Sequence, residues 1–100
     1  MSKSPIKLVV LVCEEALENL VLPELQAAGA KGYTVTEARG SGNRGVRDAR
    51  WLLSSNVRIE TLCSAEVARR ILELVETKYS ANYGLVVYLV DAEVLHPEKF

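Results

Sequence analysis

The residues best suited to binding chemistry lie in one segment rich in glycine and arginine. Residues 40–47 read GSGNRGVR, in which Gly40, Gly42 and Gly45 accompany Arg44 and Arg47. Glycine tolerates positive φ, which lets successive backbone N–H groups point at an anion. Arginine adds planar donors that suit phosphate or carboxylate. We therefore predict an anion site here. A plain flexible loop and a basic RNA-binding loop remain alternatives, although few aromatic residues accompany the basic ones.

The following residues carry an apolar group into the same loop. Arg50, Trp51 and Leu52 lie in a stretch that should otherwise face water. Exposed apolar clusters often mark interaction sites. We predict that these three residues bind a partner protein, and the alternative is that Trp51 folds back onto its own domain.

No pattern of catalytic residues stands out. His96 is the only histidine, and neither a Ser-His-Asp nor a Cys-His pair can be assembled around it. The spacing of metal ligands is absent, so we predict no metal site and no enzymatic activity. Cys13 and Cys63 end the first and third predicted strands. We expect those strands to be parallel neighbours, which would bring two buried free thiols near one another.

The bulk composition describes one ordinary globular domain. The chain has 100 residues, 49% of them hydrophobic and 25% charged, with a formal net charge of -1. One domain over residues 1–100 is the natural division. The near-neutral charge gives no reason to expect nucleic acid as a partner. No apolar run approaches the roughly 20 residues of a membrane span, and two cysteines fit a reducing compartment. We expect a cytoplasmic protein.

The hydropathy pattern predicts strands and helices in the order βαββαβ. Helices are expected over residues 14–28 and after Ser64, which is a plausible N-cap. Strands are expected over residues 6–13, 33–36, 57–63 and 85–90. The second and third strands are separated by a loop over about residues 40–56. This order is that of a ferredoxin-like α+β fold.

The strand patterns also predict an oligomer. Two helices can cover only one face of a four-stranded sheet. The first and last strands, IKLVVLVC and LVVYLV, are nevertheless apolar on both faces. A sheet with one wet face should alternate apolar and polar residues. We therefore expect the second face to be buried against another subunit.

Two segments together resemble a known family. The run GAKGYTV over residues 29–35, followed by GSGNRGVR over residues 40–47, is similar to the PII-like proteins of inorganic-carbon uptake. These include the cyanobacterial bicarbonate-transporter partner SbtB and the carboxysome-associated PII proteins. Tyr79, Tyr83 and Tyr88 follow in the expected order, and the resemblance covers nearly the whole chain.

The resemblance implies a homotrimer with an adenine nucleotide in each cleft between subunits. The long loop would be the family's T-loop, which changes order with the nucleotide and docks on a partner, here a bicarbonate transporter or a carboxysome-related protein. The residues implied to bind nucleotide are Tyr33, Thr34, Gly40, Gly42, Arg44, Arg47, Gly84 and Leu85. Bicarbonate would be a second ligand.

Departures from the residue pattern of nitrogen-regulatory PII proteins narrow the choice of nucleotide. Their lysine near the start of the fourth strand is replaced here by the apolar run Gly84-Leu85-Val86-Val87. The basic residues of their C-terminal segment are missing too. These departures favour AMP, ADP or cyclic AMP over ATP. A structural trimer similar to the cation-tolerance proteins and a weak nucleotide hydrolase remain alternative functions.

Overall fold

Two helices pack on one face of a four-stranded antiparallel sheet. The structure is a computed structural model and describes residues 6–40, 55–79 and 84–100. In those residues the sheet has the order β2-β3-β1-β4, so the predicted ferredoxin-like βαββαβ fold is confirmed. The elements in chain order are β1 (Ile6–Glu14), a 3-10 turn (Glu15–Leu17), α1 (Glu18–Ala28), β2 (Thr34–Ala38), β3 (Asn56–Ser64), α2 (Ala65–Lys78), β4 (Val86–Ala92) and a second 3-10 turn (Pro97–Lys99).

The register of β1 and β3 corrects the expectation about the two thiols. These strands are neighbours, but they run antiparallel, with Cys13 opposite Val57 and Cys63 opposite Lys7. Six residues of strand separate the two positions, which is about 20 Å. The expectation of parallel strands was wrong. The helix α1 connects β1 to β2 and makes β2 run parallel to β1, whereas β3 runs antiparallel to both. Both cysteines are free and buried.

The face of the sheet that the helices cover forms the hydrophobic core. Alternate residues of β1 and β3 point to this face, as strand geometry requires. The helices contribute residues at helical spacing to the same cluster. The most buried members are Val9, Leu11, Cys13, Val57, Ile59 and Cys63 from the strands and Val21, Leu25, Ala68, Ile71 and Val75 from the helices.

Local signals in the sequence fix the ends of both helices. Ser64 caps α2 as predicted, because its Oγ accepts a hydrogen bond from the Val67 N–H at 3.2 Å. Gly29 ends α1 with φ of 119°. A Cβ at Gly29 would lie 2.9 Å from Val67 Cγ2, so the glycine also permits the close approach of the two helices. α1 begins later than predicted, since residues 15–17 form the 3-10 turn.

The opposite face of the sheet, called here the open face, is half apolar and half polar. Its apolar half comes from β1 and β4, where Val86, Tyr88 and Val90 are 55%, 41% and 46% exposed. Leu85, Val87 and Leu89 alternate with them and pack against the core. The polar half comes from β2 and β3. The sequence pattern therefore indicated correctly that β4 carries apolar residues on both faces.

Candidate functional site

A pocket of about 220 Å³ opens where the polar and apolar halves of the open face meet. Its lining combines predicted site residues with others from β1, β3 and the C-terminal turn: Leu8, Gly32, Tyr33, Thr34, Glu60, Thr61, Leu62 and Phe100. The strand register explains why they meet, since Leu8 lies opposite Leu62 and Thr34 lies opposite Glu60. The predicted pair Tyr33 and Thr34 is thus part of a formed pocket.

The lining of the pocket suits a flat ring system with polar edges. Leu8 and Leu62 provide apolar surface, and Tyr33 is an aromatic residue that is 43% exposed. The hydroxyl of Thr34 can donate and accept, whereas the carboxylate of Glu60 accepts only. Apolar walls with a few polar groups are typical of small-molecule sites. The pocket can therefore hold a heterocycle and accept hydrogen bonds from its amino or sugar hydroxyl groups.

The segment that leads into β2 is held in place from β3. Thr61, only 3% exposed, donates a hydrogen bond from Oγ1 to the carbonyl oxygen of Gly32. Because this buried hydroxyl has a hydrogen-bond partner, it does not carry the free-energy cost of an unsatisfied buried polar group. This bond positions the backbone from which Tyr33 and Thr34 project.

Glu60 is itself held by a neighbour on the same strand. The guanidinium of Arg58 donates from Nε to Glu60 Oε2 at 2.7 Å and from Nη1 to Tyr88 Oη at 3.3 Å. The hydrogen bond to Glu60 is the largest cause of a raised pKa at Arg58, and the hydrogen bond to Tyr88 raises it further. The Arg58 guanidinium thus holds one carboxylate oxygen of Glu60 in place beside the pocket.

The remaining predicted residues that the structure describes lie elsewhere on the sheet. Gly40 follows β2, whereas Gly84 and Leu85 precede β4, and these two strands are the opposite edges of the sheet. Three strand spacings separate the edges, about 14 Å. Gly40 and Gly84 are exposed, but the side chain of Leu85 packs against the core. One chain therefore does not bring Thr34 and Gly84 together.

The rest of the predicted site lies outside the described residues. Gly42, Arg44 and Arg47, predicted to bind phosphate, and Arg50, Trp51 and Leu52, predicted to bind a partner, all fall in residues 41–54. Their roles stay predictions.

Sequence reasoning missed most of the pocket. Glu60 lies two residues from Arg58, and the alternation of β3 places both side chains on one face, so a pairing could have been anticipated. Leu8 and Leu62 required the register between β1 and β3. Phe100 follows the second 3-10 turn, which the sequence analysis did not predict.

The two cysteines and His96 are further reactive side chains in the part of the chain that the structure describes. Burial, with Glu14 and Glu18 nearby, raises the pKa of Cys13 to about 11, and burial also raises the pKa of Cys63. Both thiols are therefore poor nucleophiles at neutral pH. His96 is exposed, with Nδ1 3.2 Å from Glu98 Oε2. Among residues 6–40, 55–79 and 84–100, no group of three or more metal-ligating side chains occurs, and no helix is long and apolar enough to cross a membrane.

Comparison with known families assigns the chain to a class. The family model described as nitrogen regulatory protein P-II matches residues 6–99. The chain therefore belongs to the PII family, which confirms the predicted class. Its place among the PII-like proteins of inorganic-carbon uptake stays a prediction. PII signalling proteins are regulators without enzymatic activity, and they form trimers.

Solved structures give more particular likenesses. A PII-like signalling protein from Thermus thermophilus is 42% identical, with a TM-score of 0.81 over 100% of this chain and 99% of that one. CPII from Thiomonas intermedia, bound to ADP and bicarbonate, is 26% identical, with a TM-score of 0.80 over 96% of this chain and 94% of that one. A further CPII structure, bound to ADP, AMP and acetate, has a TM-score of 0.82 at 23% identity over 100% of this chain and 98% of that one, and it shows the shared fold.

Proposed function

We propose that this chain is a nucleotide sensor that binds AMP, ADP or cyclic AMP, in preference to ATP, in the pocket on its open face. The observation that carries the proposal is the pocket itself, in which Tyr33 and Thr34 meet the apolar pair Leu8 and Leu62 and the carboxylate of Glu60. This lining suits adenine and ribose. CPII, which has the same fold and was solved with ADP and bicarbonate, supports the same class of ligand.

The site is completed between two copies of the chain. A pocket of about 220 Å³ is smaller than the roughly 300–1,000 Å³ of typical small-molecule sites, so it holds part of a nucleotide. Gly84, at the far edge of the sheet, cannot reach the same ligand within one chain. In a homotrimer, the β4 edge of one copy can close the pocket of the next. Burial of Val86, Tyr88 and Val90 on the open face would favour that assembly.

The glycine-rich loop supplies the phosphate contacts and the output. Arg44 and Arg47 bind the phosphates, with backbone N–H groups at Gly40 and Gly42. Binding orders the loop, which then presents or hides Arg50, Trp51 and Leu52. The ligand acts only through its different affinities for the two loop states. If neither Arg44→Ala nor Arg47→Ala weakened nucleotide binding, this part of the proposal would fail.

The regulated process is the transport or metabolism of inorganic carbon. The support is the resemblance to carbon-uptake PII-like proteins, together with bicarbonate in the CPII structure. The partner would be a bicarbonate transporter or a carboxysome-related protein, reached from the cytoplasm. Bicarbonate would bind together with the nucleotide.

Calorimetric titration with AMP, ADP, cyclic AMP and ATP, each with and without bicarbonate, tests the proposal. We expect micromolar binding of AMP, ADP or cyclic AMP at one site per chain, weaker binding of ATP, and a change in affinity when bicarbonate is present. Glu60→Gln should weaken the preferred nucleotide about tenfold, because a neutral amide is a weaker hydrogen-bond acceptor than a carboxylate.

The control variant is Glu73→Gln, which makes the same change at an exposed position of α2 and should bind like the wild type. Equal loss in both variants would mean that charge alone, not the pocket, matters. No binding of any nucleotide would overturn the proposal and favour a structural trimer. Binding without any effect of bicarbonate would remove only the link to inorganic carbon.

A further inference from the structure

Arg58 connects the pocket to the apolar half of the open face. It lies on β3. Its guanidinium donates to Glu60 on the same strand at 2.7 Å and, across β1, to Tyr88 on β4 at 3.3 Å. The residue between the two partners is Val10, which lies opposite Glu60 on one side and opposite Tyr88 on the other. Although Val10 lies on the open face, it is 0% exposed. The three polar side chains thus form a layer over β1.

The layer constrains the carboxylate that faces the pocket. A glutamate side chain on a sheet surface samples several rotamers, and fixing it costs conformational entropy. The Arg58 Nε–H donates to Glu60 Oε2, and the second carboxylate oxygen keeps its capacity to accept hydrogen bonds. Tyr88 in turn holds the other end of the guanidinium, because a planar fork with five donors can serve two acceptors at once.

We propose that Arg58 is a positioning residue for nucleotide binding: anchored by Tyr88, it holds the Glu60 carboxylate in the orientation that accepts hydrogen bonds from the ribose hydroxyls or the adenine amino group. This inference rests on the proposed function of the pocket. It assigns no contact between Arg58 and the nucleotide. The entire effect of Arg58 on affinity passes through Glu60, and that dependence can be measured.

A double-mutant cycle tests the proposal by calorimetric titration with ADP. Arg58→Gln should weaken binding of ADP on the order of tenfold, within the range of couplings between contacting residues. In the Glu60→Gln background, the same Arg58→Gln change should cause no further loss. Arg58→Lys should not restore affinity, since a single ammonium group cannot bridge both partners. Tyr88→Phe should cause a smaller loss than Arg58→Gln.

The matched control is Arg69→Gln, which removes the same charge from an exposed position of α2 and should leave the affinity for ADP unchanged. Thermal unfolding of every variant checks that each one folds, and Tyr88→Phe keeps the test valid if Arg58→Gln does not fold. If Arg58→Gln weakened ADP binding equally in the wild-type and the Glu60→Gln backgrounds, the proposal would be overturned, because Arg58 would then contact the nucleotide directly. Wild-type affinity in Arg58→Gln would overturn it too. Failure of the wild type to bind ADP, AMP or cyclic AMP would instead overturn the proposed function.

Discussion

The two faces of the sheet use the same strands for different purposes. The covered face is a continuous apolar cluster whose central members, such as Leu11 and Ile71, are 0% exposed. The open face sets the apolar strip of Val86, Tyr88 and Val90 beside charged residues and a pocket. Burial on the first face stabilises the chain. The second face combines incomplete burial with accessible polar groups, which is what assembly and ligand binding require.

We expect the largest effect when a charge is placed on the apolar strip of the open face. Val90→Asp should dissociate the trimer, because burying an unpaired carboxylate in an interface costs several kcal/mol. Light scattering coupled to size-exclusion chromatography would report the mass. Leu20→Asp, on the exposed surface of α1, where Leu20 is 57% exposed, should leave the mass at three chains. A trimeric Val90→Asp protein would show that the strip is not an interface.

On the covered face, truncation should cost stability in the folded chain itself. Ile71→Ala should lower the free energy of unfolding by about 2–5 kcal/mol, since it leaves a cavity in the core. Leu20→Ala removes as many carbon atoms from an exposed site and should change it by less than about 0.5 kcal/mol. Urea unfolding measures both. Similar losses in the two variants would mean that Ile71 is not in a packed core.

The junction between the two helices offers a smaller test. Gly29→Ala should destabilise the protein by more than about 1 kcal/mol, because alanine disfavours the left-handed backbone and its Cβ would approach Val67 at 2.9 Å. Gly32→Ala is the control for stability, since nothing lies within 4 Å of a Cβ at that position. A stable Gly29→Ala variant would contradict the close approach of α1 and α2.

The smallest expected effect concerns pH and the link between the helices. The hydrogen bonds from Lys78 Nζ and Tyr79 Oη, each 2.7 Å, lower the pKa of Glu24 below its ordinary value of 4.5. A folded pKa below the unfolded one means that the carboxylate stabilises the fold above about pH 4.5, and that this contribution is lost as the pH falls through the lowered pKa.

Urea unfolding of the wild type and Glu24→Gln at a series of pH values checks this effect. The wild type should be more stable at neutral pH, and the difference should shrink as the pH falls below about 4.5. Glu73→Gln, which makes the same change on the exposed surface of α2, is the matched control. A difference between wild type and Glu24→Gln that does not depend on pH would contradict the role of these hydrogen bonds.

Sequence patterns predicted the covered face better than the open face. The alternation of Val57 and Ile59, the cap at Ser64 and the glycine at the end of α1 are local signals, and each one appears in the structure. These local signals suffice to predict the fold, because the spacing of apolar residues in a helix or strand indicates which of its faces is buried.

The pocket could not be predicted in the same way. It depends on the register that puts Leu8 opposite Leu62 and Thr34 opposite Glu60, and register is a relation between distant segments. The wrong strand direction assumed for β3 had a different origin. The predicted order of elements has a loop, not a helix, between the second and third strands, and β3 runs antiparallel to β2 and to β1, as that order already implies. The resemblance to PII-like proteins identified Tyr33 and Thr34, but not the carboxylate beside them.

Subunit mixing tests most directly the claim that two copies complete each nucleotide site. Thr34→Trp should fill the pocket, and Gly84→Glu should repel the nucleotide at the far edge of the sheet. Each trimer alone should fail to bind ADP. After mixing and reassembly, about a quarter of the clefts should pair an intact pocket with an intact β4 edge, if chains assort randomly. Recovery of that fraction of ADP binding is the predicted result. No recovery in mixed trimers would contradict the account.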